Sequence, residues 1–202
     1  VALAKQKFPN LKTYSIGFED DKEEKGNEFI YSDQVVKRYK TDHKKFIIDN
    51  SLVLSKLPKA FEAMSEPMVA QDAVAFYMLS ELVRKDVKVI LSGQGADEGF
   101  AGYFWYNKIN LEKNNHVNFL KHYVDRSEVE LNEFLNIKFS SNFTNLMVKN
   151  KFRDINAETL LGNVLNFDIT TLVVDDPVKR VDNMTMAWGL EARVPFLDHK
   201  LI

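Results

Sequence analysis

The first half of the chain alternates between two spacings of apolar residues. Residues 1–7 carry a short helical pattern that stops at Pro9-Asn10, because proline cannot continue a helix. Residues 13–18, TYSIGF, are β-rich and end near glycine, which predicts a strand. Residues 19–27 are charged and have no apolar period, as expected of a loop. Phe29, Ile30, Val35, Val36 and Tyr39 recur at helical spacing within 28–39. Phe46, Ile47 and Ile48 predict a second strand over 43–48. A helix follows over 51–65, with Pro58 interrupting it or starting a second piece. A firmer helix covers 73–85 and buries Phe76, Leu79, Leu82 and Val83.

Residues 87–91, VKVIL, then read as a buried parallel strand, since a strand covered on both faces shows a continuous apolar run. Strand, helix, strand, helix, strand predicts an α/β fold with a parallel sheet and right-handed crossovers. Such sheets usually have more than three strands. A further strand is therefore expected upstream of Val1, where the chain begins in mid-helix without an initiating Met or an N-cap. On this reading the sequence is cut from a longer one. Beyond Tyr103 the helical period is patchy over 104–152 and cleaner over 157–174, through Leu160, Leu161, Val164, Leu165, Leu172 and Val173. Residues 1–103 are thus expected to form an α/β portion and 104–202 a helical portion laid against it. In 175–199, Asp176-Pro177 is a good helix start. Val181, Met184, Ala187 and Trp188 share one face of that helix, which should end by about Ala192 because Val194 precedes Pro195.

Composition narrows the function classes. The 202 residues are 45% hydrophobic and 12% aromatic, enough for a substantial core. A net charge of −2 favours neither nucleic acid nor an anionic membrane as partner. The chain has no cysteine, so disulfide frameworks and thiolate zinc sites are excluded and a reducing, cytoplasmic location is the expectation. The four histidines form no H-x-x-x-H pair, and no apolar run approaches the roughly 20 residues of a membrane span.

Candidate chemistry concentrates where 87–91 runs into Ser92-Gly93-Gln94-Gly95-Ala96-Asp97-Glu98-Gly99. Ligands of open α/β sheets bind at the carboxyl ends of strands, and glycine lets a ligand approach the backbone. The plain alternative is a tight strand-to-helix turn whose two carboxylates are solvated at a helix start. For 175–199 the plain alternative is an amphipathic helix with an Arg–carboxylate surface pair.

Together the two blocks carry a resemblance. LSGQGADEGFAGY resembles the LSGxGxDExFxGY segment of the asparagine synthetase family, and VDNMTMAWGLEARVPFLDH is similar to its second signature. TYSIGF, Glu28, His43 and Glu66-Pro67 fall in the family's order between them. The resemblance covers nearly the whole chain. It implies an adenine-nucleotide α-hydrolase-like fold that uses ATP and Mg²⁺ to adenylate a carboxylate, releasing pyrophosphate. Ammonia then attacks the acyl-adenylate to give an amide. In the full enzyme an N-terminal glutaminase domain supplies the ammonia through a tunnel, and a homodimer is the candidate assembly.

Carried over by position, Ile16, Gly17, Ser92 and Gly93 line the adenosine pocket, and Asp97 holds Mg²⁺ with the pyrophosphate oxygens. Glu98 orients Asp97 or caps the following helix. Arg193 holds a carboxylate or stabilises the pentavalent phosphorus, Glu191 is its partner or a base, and Asp182 and Lys179 shape the wall facing the acyl-adenylate.

Two departures from the family's pattern matter. Its pyrophosphate loop, Ser-Gly-Gly-x-Asp-Ser, is absent and would sit just before Val1, so the 202 residues alone are expected not to form the amide. Gln94 stands where many aspartate-using members carry Glu, and a neutral amide cannot accept a proton from ammonia. The combination of SEPMVAQDAVAFYMLS, SGQGADEGFAGYFWY and DDPVKRVDNMTMAWGLEARVPFLDH resembles a paralogue group that amidates N-acetylglutaminylglutamine. β-Lactam-forming relatives depart further at SGxGxDE, and a non-catalytic nucleotide-binding module is the remaining class.

Overall fold

A computed structural model describes residues 1–19, 28–66, 72–110, 115–124, 126–135 and 142–202. The expected loop over 20–27 lies outside the described residues. The chain divides into two units, the first formed by Val1–Ile90 with Arg180–Arg193 and the second by Leu91–Lys179 with Val194–Ile202.

In the first unit, helix α1 (Ala2–Lys7) leads into strand β1 (Lys12–Phe18), which pairs in parallel with β2 (Asp42–Ile48). The register runs from Lys12 opposite Asp42 to Phe18 opposite Ile48. Helix α2 (Phe29–Tyr39) lies between the two strands in sequence, as a parallel connection requires. Thr13 fixes the sheet near its start, where its Oγ1 lies 2.9 Å from Nδ1 of His43, its register partner. His43 is thereby a half-buried sheet residue.

Helix α3 (Asn50–Ala63) opens on Asp49, whose carboxylate accepts the Ser51 N–H at 2.8 Å. It continues through Pro58 as one helix, where an interruption was expected. Leu54, whose carbonyl Pro58 cannot serve, and Pro58 itself are both exposed, so water can take that carbonyl. Helix α4 (Ala73–Val83) is apolar on most of its circumference and buries Ala73, Val74, Tyr77, Met78 and Val83. The core joins α4 to Ile48, Ala60 and Met184, with Trp188 packed on Tyr77 at 5.1 Å. Burying each large side chain there contributes about 1.5–3 kcal/mol.

Strand β3 (Val89–Leu91) corrects two expectations. It pairs with the short β4 (Glu191–Arg193), and not with β1 or β2. It is also not covered on both faces, since Val89 is 46% and Leu91 61% exposed. The two residues point to one face and half-buried Ile90 to the other. An apolar run reports hydrophobicity but does not say which strand lies alongside or whether both faces find cover.

The second unit is helical. Helix α5 (Ala96–Phe100) comes first, and helices α6 (Phe104–Asn110), α7 (His116–Tyr123), α8 (Glu128–Phe134) and α9 (Phe143–Ile155) then replace the patchy pattern after Tyr103. Local capping sets several starts. Asn115 accepts the Asn118 N–H at 2.9 Å, Ser127 and Glu130 form a reciprocal capping box, and Thr159 accepts the Gly162 N–H at 3.0 Å. Helix α10 (Leu160–Phe167) passes through a π-turn, Asp168–Leu172, into α11 (Val173–Asp175). The core is aromatic, with Phe119 within 5.3 Å of Phe152 and 5.6 Å of Phe167.

Helix α12 (Pro177–Met186) begins in the second unit and ends in the first. It starts at Pro177 as expected but stops short of Ala192. The Leu190 N–H turns back to the Thr185 carbonyl at 3.1 Å, and Gly189 adopts a φ of 64°. Val181 and Met184 are buried, whereas Ala187 lies past the helix end and is exposed.

Candidate functional site

The candidate residues fall into two groups, one in each unit. In the second unit, β3 gives way to a turn over 92–95 that feeds α5. Ser92 and Gln94 are half-buried and Gly93 is exposed. No atom lies within 4 Å of where a Cβ on Gly93 would stand, so the chain itself does not demand glycine there. Gly95 is different. Its φ is +86°, and a Cβ on it would lie 2.3 Å from Cδ2 of Leu197. Leu197 closes the 3₁₀ turn Pro195–Leu197, and the neighbouring Phe196 meets Phe100 edge-on at 5.9 Å. The PFL of the second signature therefore packs onto the turn and helix of the first.

Asp97 and Glu98 are adjacent carboxylates with opposite environments. Asp97 is exposed. Glu98 is 1% exposed, and its Oε1 accepts the Tyr103 hydroxyl at 2.8 Å. The plain alternative of two solvated carboxylates at a helix start thus fits Asp97 and does not fit Glu98. Burial is the main cause that raises the Tyr103 phenol far above its ordinary range, and the Glu98 hydrogen bond adds to it. Lys179, the last candidate in this unit, is half-buried on α12.

In the first unit, Ile16 and Gly17 lie near the carboxyl end of β1, opposite Phe46 and Ile47 of β2, with Gly17 buried. Asp182 is exposed on α12. Glu191 and Arg193 are two residues apart on β4 and so share a face. Arg193 Nε lies 3.4 Å from Glu191 Oε1 with both side chains more than half exposed, an arrangement that contributes little stability. The Glu191 N–H donates to the Lys88 carbonyl at 2.9 Å, which fixes the strand beneath the pair.

The asparagine synthase family model matches residues 1–202. The chain belongs to the asparagine synthase family. It is similar to glutamine-hydrolysing asparagine synthetase 1 of Bacillus subtilis (strain 168), 25% identical over 236 residues that cover 98% of this chain and 36% of the relative. It is also similar to a putative glutamine-hydrolysing asparagine synthetase of Methanocaldococcus jannaschii, 28% identical over 94% of this chain and 26% of the relative. The Bos taurus enzyme of that name is 24% identical over 98% of this chain and 26% of its own length. The chain spans about a third of the length of the first of these relatives.

In this family member, several polar residues that sequence reasoning passed over are buried. Arg180 is 8% exposed and donates to Asp72 at 2.5 Å. Helical spacing was a usable signal, since Arg180 sits one turn before Met184 and so beside the apolar stripe. Asp168 is fully buried at the π-turn, where its Oδ2 accepts the Tyr106 hydroxyl at 2.7 Å. Burial raises the Asp168 carboxyl to about 6; the Tyr106 and Tyr123 hydroxyls pull it down, and the charge of Glu98 pushes it up. Nothing local in the sequence signals that cluster, because its members come from four separate helical segments.

Among the described residues no three or more His, Asp or Glu side chains gather as a metal cage. The exposed carboxylate of Asp97 suits a different mode, in which Mg²⁺ takes one or two protein carboxylates and completes its shell with phosphate and water oxygens. No helix among the described residues is long and apolar enough to cross a membrane.

Proposed function

We propose that this chain is the ATP-using part of an amide-forming ligase of the asparagine synthetase type, built on an adenine-nucleotide α-hydrolase-like fold. A substrate carboxylate attacks the α-phosphorus of ATP, and pyrophosphate leaves. Ammonia released from glutamine by a glutaminase domain then displaces AMP from the acyl-adenylate to give the amide. The observation that carries this reading is the family match over residues 1–202, with both signatures in order.

Residue roles follow from the signatures. In the second unit Ser92 and Gly93 hold adenosine, and the open space at Gly93 supports that assignment. Asp97 holds the metal, which when bound neutralises charge on the pyrophosphate leaving group. Arg193, charged at every relevant pH, binds a carboxylate or the phosphorus centre, with Glu191 as its partner. Lys179 and Asp182 face the acyl-adenylate.

Aspartate is the first candidate substrate. Gln94 favours a second, N-acetylglutaminylglutamine, because an amide at this position hydrogen-bonds a substrate without acting as a base. The test uses the full-length gene product with ATP, Mg²⁺, glutamine and either acid, following AMP, pyrophosphate and the amide. Product from one acid identifies the substrate; no nucleotide turnover with either overturns the ligase reading. Asp97→Ala is expected to abolish pyrophosphate release, and unchanged release would move the metal site elsewhere.

A further inference from the structure

Helix α5 has five residues and cannot hold its shape alone, so its surroundings decide where Asp97 points. Two side-by-side pairs with the same i, i+5 spacing do this. The first is Asp97 with Gly102. After α5 the chain reverses at Ala101, which takes the left-handed φ of 56°, and the N–H groups of Ala101 and Gly102 both return to the Asp97 carbonyl. The reversal lays the Gly102 Cα against the Asp97 side chain. A Cβ on Gly102 would stand 2.0 Å from Asp97 Oδ1, 2.9 Å from its Cγ and 3.1 Å from its Cα. Rotating the Asp97 side chain relieves the first two clashes, and that rotation moves the carboxylate. The third is with backbone and persists.

The second pair is Glu98 with Tyr103. Glu98 is buried and holds the Tyr103 hydroxyl at 2.8 Å, and the Tyr103 ring is stacked on Trp105 at 4.1 Å. This pins one carboxylate inward. The preceding residue on the helix, turned by about 100°, is thereby held outward.

We propose that Gly102 and the Glu98–Tyr103 hydrogen bond are positioning elements that aim the Asp97 carboxylate at the metal: Gly102 leaves the space that the carboxylate occupies, and Tyr103 fixes the roll of α5 through Glu98. This rests on the reading of Asp97 as the metal's carboxylate. It assigns one mechanical task to four residues of the DEGFAGY stretch and explains their spacing. Gly99, on the same helix, has no atom within 4 Å of where a Cβ on it would stand and takes no part.

The test is the affinity of the full-length protein for α,β-methylene-ATP, measured by equilibrium dialysis with Mn²⁺ and again in EDTA. The ratio of the two affinities isolates the metal's contribution. Gly102→Ala and Tyr103→Phe are each expected to lower that ratio about tenfold, the loss expected when one charge-assisted contact is misaimed, while the affinity in EDTA changes by less than about twofold. Gly99→Ala is expected to leave both values at wild type. Asp97→Asn separates the two levels of the argument. If it leaves the ratio unchanged, the metal reading fails and the proposal falls with it. If it lowers the ratio while Gly102→Ala and Tyr103→Phe do not, the metal reading stands and the positioning proposal is overturned. A drop in Gly99→Ala as large as in Gly102→Ala also overturns it, since the effect would then be general loosening of α5. Thermal melts accompany each variant, and if Gly102→Ala fails to fold, Tyr103→Phe decides.

Discussion

Replacing Asp168 by asparagine removes a fully buried charge without removing the acceptor that Tyr106 needs. Burial raises this carboxyl from 3.8 to about 6. The sign follows from proton binding. Between those values the folded chain binds a proton at Asp168 that the unfolded chain does not. The contribution of Asp168 to stability is therefore fully present below its unfolded value and is lost as the pH rises through about 6. At 1.36 kcal/mol per pKa unit, the loss is on the order of 3 kcal/mol. Asparagine cannot titrate, so the variant does not suffer it.

At pH 4 the two proteins present similar groups, a neutral acid and a neutral amide. There the variant is expected to be equal or slightly worse, because Oδ1 of Asp168 is buried with no hydrogen-bond partner among the described residues, and the amide puts a further polar hydrogen into that site. Urea unfolding of both proteins from pH 4 to pH 7.5 measures the difference. Asp49, Asp86 and Glu130 have lowered carboxyls and contribute the opposite slope, but they are common to both proteins and cancel. The variant should gain on wild type by roughly 2–3 kcal/mol across this range. Parallel stability profiles would refute the claim that the charge at Asp168 is held against its desolvation.

Gly95→Ala should cost about 1–3 kcal/mol, since it combines a left-handed φ of 86° with a Cβ 2.3 Å from Leu197. Adding Leu197→Ala removes the clash, so the double variant should be more stable in urea than the sum of the singles; strict additivity would show that the two residues do not press on each other. Ser127→Ala removes the side-chain half of the α8 capping box, in which the hydroxyl accepts the Glu130 N–H, and leaves the N–H of residue 127 on the Glu130 carboxylate; it should cost about 1 kcal/mol at pH 7. The Ser127 N–H and, after it, the Ser127 hydroxyl hold the Glu130 carboxyl below its ordinary value, so the hydroxyl's bond to that carboxylate is present above the usual Glu range and fades as the pH falls through the lowered one; a melt difference that persists undiminished at low pH would contradict this. Arg193→Lys should change stability by less than about 0.5 kcal/mol, because the pair with Glu191 is exposed. In the full-length protein the same variant should slow amide formation through loss of the planar fork, and near-normal turnover would leave Arg193 as a surface residue.

The legible parts of this chain were those governed by short-range period. Strands β1 and β2 and helices α2 and α4 announce themselves because their apolar residues repeat every two or every three to four positions. The signature residues were legible as a resemblance, and Glu191 with Arg193 as a same-face pair. What was missed depends on partners far along the chain. VKVIL reads as buried because five residues cannot encode that β4, a hundred positions on, is the neighbour. The burial of Glu98 was not legible because its donor lies beyond a reversal at Ala101, off any helical period. Tyr106 meets Asp168 across 62 positions, and Asp72 meets Arg180 across 108.

The two signatures are linked by packing. In the second unit, VPFLD ends on a 3₁₀ turn that sets Leu197 over Gly95 and Phe196 against Phe100. A five-residue helix gains little from its own hydrogen bonds, so these apolar contacts at its two ends and the Glu98–Tyr103 bond at its centre are what can define its axis. A change in VPFLD would therefore act on Asp97 without touching it: shrinking Leu197 would free the Gly95 turn, and α5 would lose its fixed origin. On this argument Phe196 and Leu197 of the second signature help to hold the helix that carries the Asp97 carboxylate of the first.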